Sequence, residues 1–132
     1  MHLISPFLKT NLIWEMEWYL QTNITINLSP AERSILAQYR TGTLSLQIEL
    51  GRFSQTKLEE RLCKICNNEC VEDELHFALF CPMYMTARKE CFESVEITFV
   101  NNYEILKCLM ERYPRKFAKY LCKIWKIRKT KL

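Results

Sequence analysis

The chain has 132 residues, 48% hydrophobic and 26% charged, with two glycines and four prolines. Such proportions fit one packed domain; they exclude a disordered chain, two independent domains and most large enzymes, and the scarce glycine argues against an all-β fold or a glycine-rich phosphate loop. The net charge of +4 hides an asymmetry, because Met1 to Glu111 holds 10 Lys+Arg against 15 Asp+Glu, while Arg112 to Leu132 holds 9 and no acid, a tail suited to a polyanion such as nucleic acid or an anionic surface.

In chain order, Ser5-Pro6 caps a first helix running to about Leu20, with Leu8, Leu12, Met16 and Tyr19 along one side. Trp14 and Trp18 share another face, where docking onto the rest of the protein is expected ahead of a ligand platform. Met1 to Pro6 offers no basic n-region, apolar run or small-residue cleavage site. An intracellular protein, nuclear or cytoplasmic and not secreted, with reduced thiols, is therefore expected. Lys9, Asn11, Glu15 and Glu17 interrupt the most apolar segment, so no stretch approaches the roughly 18 residues of a membrane span. Ile24, Ile26 and Leu28 alternate with polar residues as a short extended segment. Ser29-Pro30-Ala31-Glu32 then combines an N-cap serine, proline at the first helical position and glutamate three residues after the cap. That helix carries Ile35, Leu36 and Tyr39 and stops at Gly42. Leu44, Leu46, Ile48 and Leu50 fit a strand or a short helix, with the Leu46/Leu50 spacing favouring helix.

Seven cysteines, an odd count, do not make a closed disulfide framework. Cys63, Cys66, His76 and Cys81 form a C-x2-C-x9-H-x4-C arrangement. Two cysteines two residues apart can aim both sulfurs at one ion, and a second pair closes a tetrahedron, so one structural zinc with a filled ligand shell is expected. Cys70 is an alternative ligand in a different register. Glu72 to Phe80 reads as a short helix, with Leu75, Phe77 and Phe80 as an apolar wall around the ion. Pro82 opens a helix with Tyr84, Arg88, Cys91, Phe92 and Val95 on one face. Asn101 with Glu104 starts another, with Ile105, Leu106, Leu109 and Tyr113 inward. Pro114 begins the last, to about Lys129: Phe117, Tyr120, Leu121, Ile124 and Trp125 cover one side, Lys116, Lys119, Lys123 and Lys126 the other. Cys91, Cys108 and Cys122 read as core thiols.

Arg61-Leu62-Cys63-x2-Cys66, then Glu74-Leu75-His76-Phe77-Ala78-Leu79-Phe80-Cys81-Pro82-x-Tyr84 and Arg88, resemble the zinc-binding region near the C-terminus of reverse transcriptases from non-LTR (LINE-type) retrotransposons. Leu36-x2-Tyr39-Arg40-Thr41-Gly42 and Glu49-x-Gly51-Arg52-Phe53 resemble the segment preceding that finger. The resemblance spans Arg33 to Arg88 and implies RNA or DNA binding without strong sequence preference. It does not extend to a polymerase palm: Asp73 is the only aspartate, and two-metal phosphoryl transfer needs converging acidic ligands. No enzymatic activity and no small-molecule substrate are expected.

The expected architecture is a mostly α-helical single domain over 1–132, with a helical part at 1–58, the metal-binding segment at 59–90 and helices with a basic tail at 91–132. Arg40, Arg52, Arg61, Lys64, Arg88, Lys116, Lys119, Lys123 and Lys126 are the candidate nucleic-acid contacts, with Tyr113, Tyr120 or Trp125 for stacking. A solvated basic face is the plain alternative for the lysines. For the whole chain the alternatives are a protein-interaction or structural module, with a reverse-transcriptase polypeptide as one partner, and a retrotransposon remnant without activity.

Overall fold

The computed structural model describes residues 28–93, 95 and 101–132. The expected helix from Ser5 to about Leu20, Trp14, Trp18 and the alternation at Ile24 and Ile26 lie outside them. The first described helix, α1 (Pro30–Thr41), starts as its sequence dictates. The Ser29 amide donates to Glu32 Oε1 at 2.8 Å and the Glu32 amide to Ser29 Oγ at 3.1 Å, so two otherwise orphaned donors are satisfied reciprocally. Gly42 ends it in the left-handed region, φ 71°. Ile35, Leu36 and Tyr39 are buried as expected, and Arg40 joins them.

Leu44 and Leu46 are buried ahead of α2 (Gln47–Phe53). The helical reading of this stretch holds from Gln47 onward, but not for the reason given by Leu46 and Leu50. Leu46 precedes the helix, and Leu50 points outward with 41% of its surface exposed. Past the metal-binding segment, a 3-10 turn (Pro82–Tyr84) leads into α3 (Met85–Phe92). Asn101 accepts from the Tyr103 amide at 2.7 Å and caps α4 (Asn102–Arg112), and Pro114 opens α5 (Pro114–Lys131).

Helix α5 is the element on which the others assemble, packing against α1, α3 and α4. Phe117, Leu121 and Ile124 are fully buried, and burial of each such side chain stabilises by about 2 kcal/mol before entropy is charged against it. Tyr39 of α1 meets Phe117 edge to face at 5.4 Å between centroids, and Tyr120 stacks against Phe117 at 6.2 Å. The buried residues form one cluster running from Leu28 to Ile124 that includes Cys63 and Cys81. The fold is mostly α: among the described residues the only β pairing is an isolated bridge between Leu62 and Val71. No described helix is long and apolar enough to cross a membrane.

Candidate metal centre

The first ligand pair sits on a short antiparallel ribbon. The Cys63 amide donates to Cys70 O at 2.8 Å and the Glu72 amide to Arg61 O at 3.0 Å, on either side of the Leu62–Val71 bridge. Between these rungs the chain must reverse, and Asn67 and Glu69 take positive φ of 56° to do so. Asparagine is among the few residues that adopt that conformation at small cost. Arg61 braces the ribbon from behind, donating to Thr56 O at 3.0 Å and Ile48 O at 3.0 Å.

The second pair depends on a local departure from α-helical geometry. Asp73 accepts from the His76 amide at 2.8 Å and so caps the turn that follows. His76–Phe80 is a π-helical turn, closed by the Cys81 amide donating to His76 O at 2.7 Å. In an α-helix, residues five apart point about 140° away from each other around the axis. The wider turn brings the chain closer to a full circle in five residues, which lets His76 and Cys81 face one point, and such turns are concentrated at functional sites.

The result is that one ligand atom from each of Cys63, Cys66, His76 and Cys81 lies within 4.8 Å of all the others. Cys63 Sγ is 4.0 Å from Cys81 Sγ, and Cys66 Sγ is 3.5 Å from His76 Nε2. These four residues therefore lie close enough to hold a metal ion. Cys70 does not join them: its side chain is exposed and its thiol turns to Asn68 O at 3.4 Å, so the alternative register gives way and Cys70 contributes only its backbone carbonyl.

The environment is dry. Cys63, Cys81 and His76 are buried, with Phe77 fully enclosed and Leu75 half-buried beside them. Phe80, expected in the same wall, faces outward at 52% exposure, because it ends the π turn on the opposite side. Burial pushes the Cys63 thiol up and the Cys81 thiol up to about 12, and it holds the His76 imidazole below its ordinary value. A cation held at the centre would supply the compensation that buried thiolates need.

Three helices grip the ligand-bearing backbone. Tyr39 of α1 donates its hydroxyl to Glu74 O at 2.9 Å, and Tyr120 of α5 donates to Ala78 O at 2.6 Å. Arg88 of α3 donates to Ala78 O at 3.1 Å and to Cys81 O at 3.0 Å. From the end of α5, Arg128 reaches Glu72 as a fork, Nε to Oε2 at 2.9 Å and Nη2 to Oε1 at 2.8 Å. Glu72 is fully buried, also accepts the Gln47 amide at 2.8 Å, and lies 4.0 Å from Cys63 Sγ. Tyr84, 1% exposed, packs on Phe77 with its hydroxyl buried and unbonded.

The expected nucleic-acid contacts divide sharply. Arg40 is 3% exposed and cannot reach a phosphate. Arg61 and Arg88 spend their guanidinium groups on backbone carbonyls around the centre, and Arg52 is forked to Glu49 and lies over the Phe53 ring at 4.4 Å. Arg40 is thus buried, and Arg52, Arg61 and Arg88 are half-buried with their guanidinium groups bonded within the fold, so these four do not form an open basic surface. Lys64, Lys116, Lys119, Lys123 and Lys126 are exposed. Tyr120 is buried, and Trp125 is half-buried, meeting Phe77 edge to face at 6.0 Å and lining the groove between α1 and α5. Of the four acids between Glu69 and Glu74, Glu72 and Glu74 are buried.

Sequence reasoning missed Glu72 and Arg128. No spacing rule links residues 56 apart, and in the sequence Arg128 is only one of the nine basic residues of the tail. No family model, no curated protein and no solved structure matches the chain.

Proposed function

We propose that the chain is a zinc-stapled helical module that binds RNA or DNA without strong sequence preference, akin to the finger region of retrotransposon reverse transcriptases. The observation that carries this reading is the division of α5 into two faces. One holds the metal segment through Tyr120 and Arg128, and the other exposes Lys116, Lys119, Lys123 and Lys126. A lysine row on a helix fixed to a rigid centre can track phosphates without reading bases.

Three thiolates and one imidazole are a zinc donor set. With Zn–S near 2.3 Å, a tetrahedron has S···S edges of about 3.8 Å, close to the 4.0 Å between the Cys63 and Cys81 sulfurs. Four protein ligands leave no open position for substrate or water, so the zinc's role here is to hold the fold. The rival reading, a protein-docking module, has its own support in exposed Leu50, Phe53 and Leu58, at 41%, 68% and 55%.

Two measurements test the proposal. Elemental analysis should find one zinc per chain, and well under one rejects the zinc. Titration of a labelled single-stranded oligonucleotide at rising salt should give a falling affinity, linear on logarithmic axes, with a slope near −0.7 for each phosphate neutralised. No binding at low salt, or binding insensitive to salt, rejects the nucleic-acid role and leaves the docking reading.

A further inference from the structure

The lysine row of α5 is not uniform, because three of its members line one groove and the fourth lines another. Between α3 and α5 lies a groove of about 280 Å³, lined on one side by Lys116, Lys119 and Lys123 and on the other by Ala87, Glu90 and Cys91. Lys126 is not part of it; it lines a separate groove between α1 and α5. Cys91 Sγ donates to Lys116 O at 3.6 Å, so the two walls are joined at one end and the width there is set by the fold. At the other end Lys123 Nζ meets Glu90 Oε2 at 2.6 Å in a pair whose side chains are 55% and 59% exposed.

Among the described residues that line this groove, three carry ammonium groups and one a carboxylate. Along α5, positions 116 to 123 advance about 10 Å, comparable with three steps of a stacked strand at about 3.4 Å each. Resting on the nucleic-acid reading above, we infer that this groove is the strand-binding subsite: Lys116, Lys119 and Lys123 hold phosphates within a run of four along one nucleic-acid strand, and Glu90 is an internal competitor that the strand displaces from Lys123. An exposed pair of this kind contributes little to stability. A polyanion that engages two lysines at once displaces the carboxylate readily, whereas a lone phosphate gains little by doing so. Glu90 thus favours a continuous strand over small anions.

The test is fluorescence anisotropy of the full zinc-loaded chain with a labelled oligothymidine, between 50 and 200 mM salt (order-of-magnitude limits over which phosphate contacts respond). Glu90→Gln should tighten binding up to about fivefold, the equivalent of the competing pair. Glu104→Gln removes the same charge from the exposed start of α4 and should change affinity less than twofold. Lys119→Gln should lower the salt slope by about 0.7, and Lys57→Gln, at an exposed lysine outside α5, should leave the slope unchanged. Inorganic phosphate should compete poorly against the wild type and better against Glu90→Gln. If the wild type binds but Glu90→Gln behaves as Glu104→Gln, or Lys57→Gln as Lys119→Gln, the groove is overturned while nucleic-acid binding stands. If the wild type does not bind at low salt, both readings fall together.

Discussion

Replacing Arg128 by methionine keeps much of the aliphatic packing at the end of α5 and removes the guanidinium fork from Glu72. The Glu72 carboxylate then retains the Gln47 amide at 2.8 Å as its strong donor in a position with no solvent exposure, having lost bonds of 2.9 and 2.8 Å. The contact of the guanidinium with the Trp125 ring, 5.1 Å from its centroid, is lost as well. Removing one partner of a buried pair destabilises by about 3–5 kcal/mol, chiefly because the remaining charge is stranded. At roughly 4 °C per kcal/mol for a chain of this size, Arg128→Met should lower Tm by about 12 °C or more. Thermal unfolding followed by circular dichroism at fixed zinc concentration measures it. The double variant Glu72→Gln with Arg128→Met separates stranded charge from lost packing, since glutamine keeps an oxygen for Gln47 and carries no charge. It should recover more than half of the loss. A single variant within about 0.5 kcal/mol of wild type, or a double no better than the single, refutes the electrostatic reasoning.

Cys66→Ser should lose most of its zinc by elemental analysis, while Cys70→Ser should keep one ion per chain; the reverse result would restore the alternative register. A Cβ at Gly51 would fall on Cγ, Cδ and Nε of Arg61, a side chain pinned by Thr56 O and Ile48 O, so Gly51→Ala should cost about 2 kcal/mol in urea unfolding. The metal-free chain should be stable only in a middle pH range. His76 titrates below its ordinary 6.5 when folded, so the unfolded chain takes up protons first and stability falls as pH drops below that value. The Cys81 thiol, raised from 9.0 to about 12, holds its proton when the unfolded thiol has released it, so stability also falls as pH rises above 9. Unfolding midpoints of chelator-treated protein across pH check both limbs, and a flat profile would show that burial is not what shifts these groups.

What the sequence made legible is what neighbours in the chain decide. The Ser29/Glu32 capping box, the proline starts and the C-x2-C knuckle are settled within a few residues, and each appears where expected. The failures share a physical origin in long-range contacts. Arg128 follows the same basic pattern as Lys126 and Lys129, yet it is drawn inward by a carboxylate 56 residues earlier. Arg88 sits on a face read as a core stripe, and its head reaches carbonyls rather than solvent. The π turn was also invisible, because one extra residue per turn leaves no mark on hydrophobic spacing. That turn is why Phe80 points outward while His76 and Cys81 converge.

The grip of distant helices on the ligand segment has a consequence for how the centre can be made. Tyr39 bonds a carbonyl 35 residues ahead of it, while Tyr120 and Arg128 bond groups 42 and 56 residues behind. A peptide cut at 59–90 would contain all four ligands and none of these supports, so zinc fingers that fold as isolated peptides are a poor guide to it. During synthesis the supports from α5 emerge after all four ligands, because that helix follows them in the chain. The metal site is therefore completed only once α5 exists, and loss of the last turns of that helix reaches the site through Glu72 without removing a single ligand.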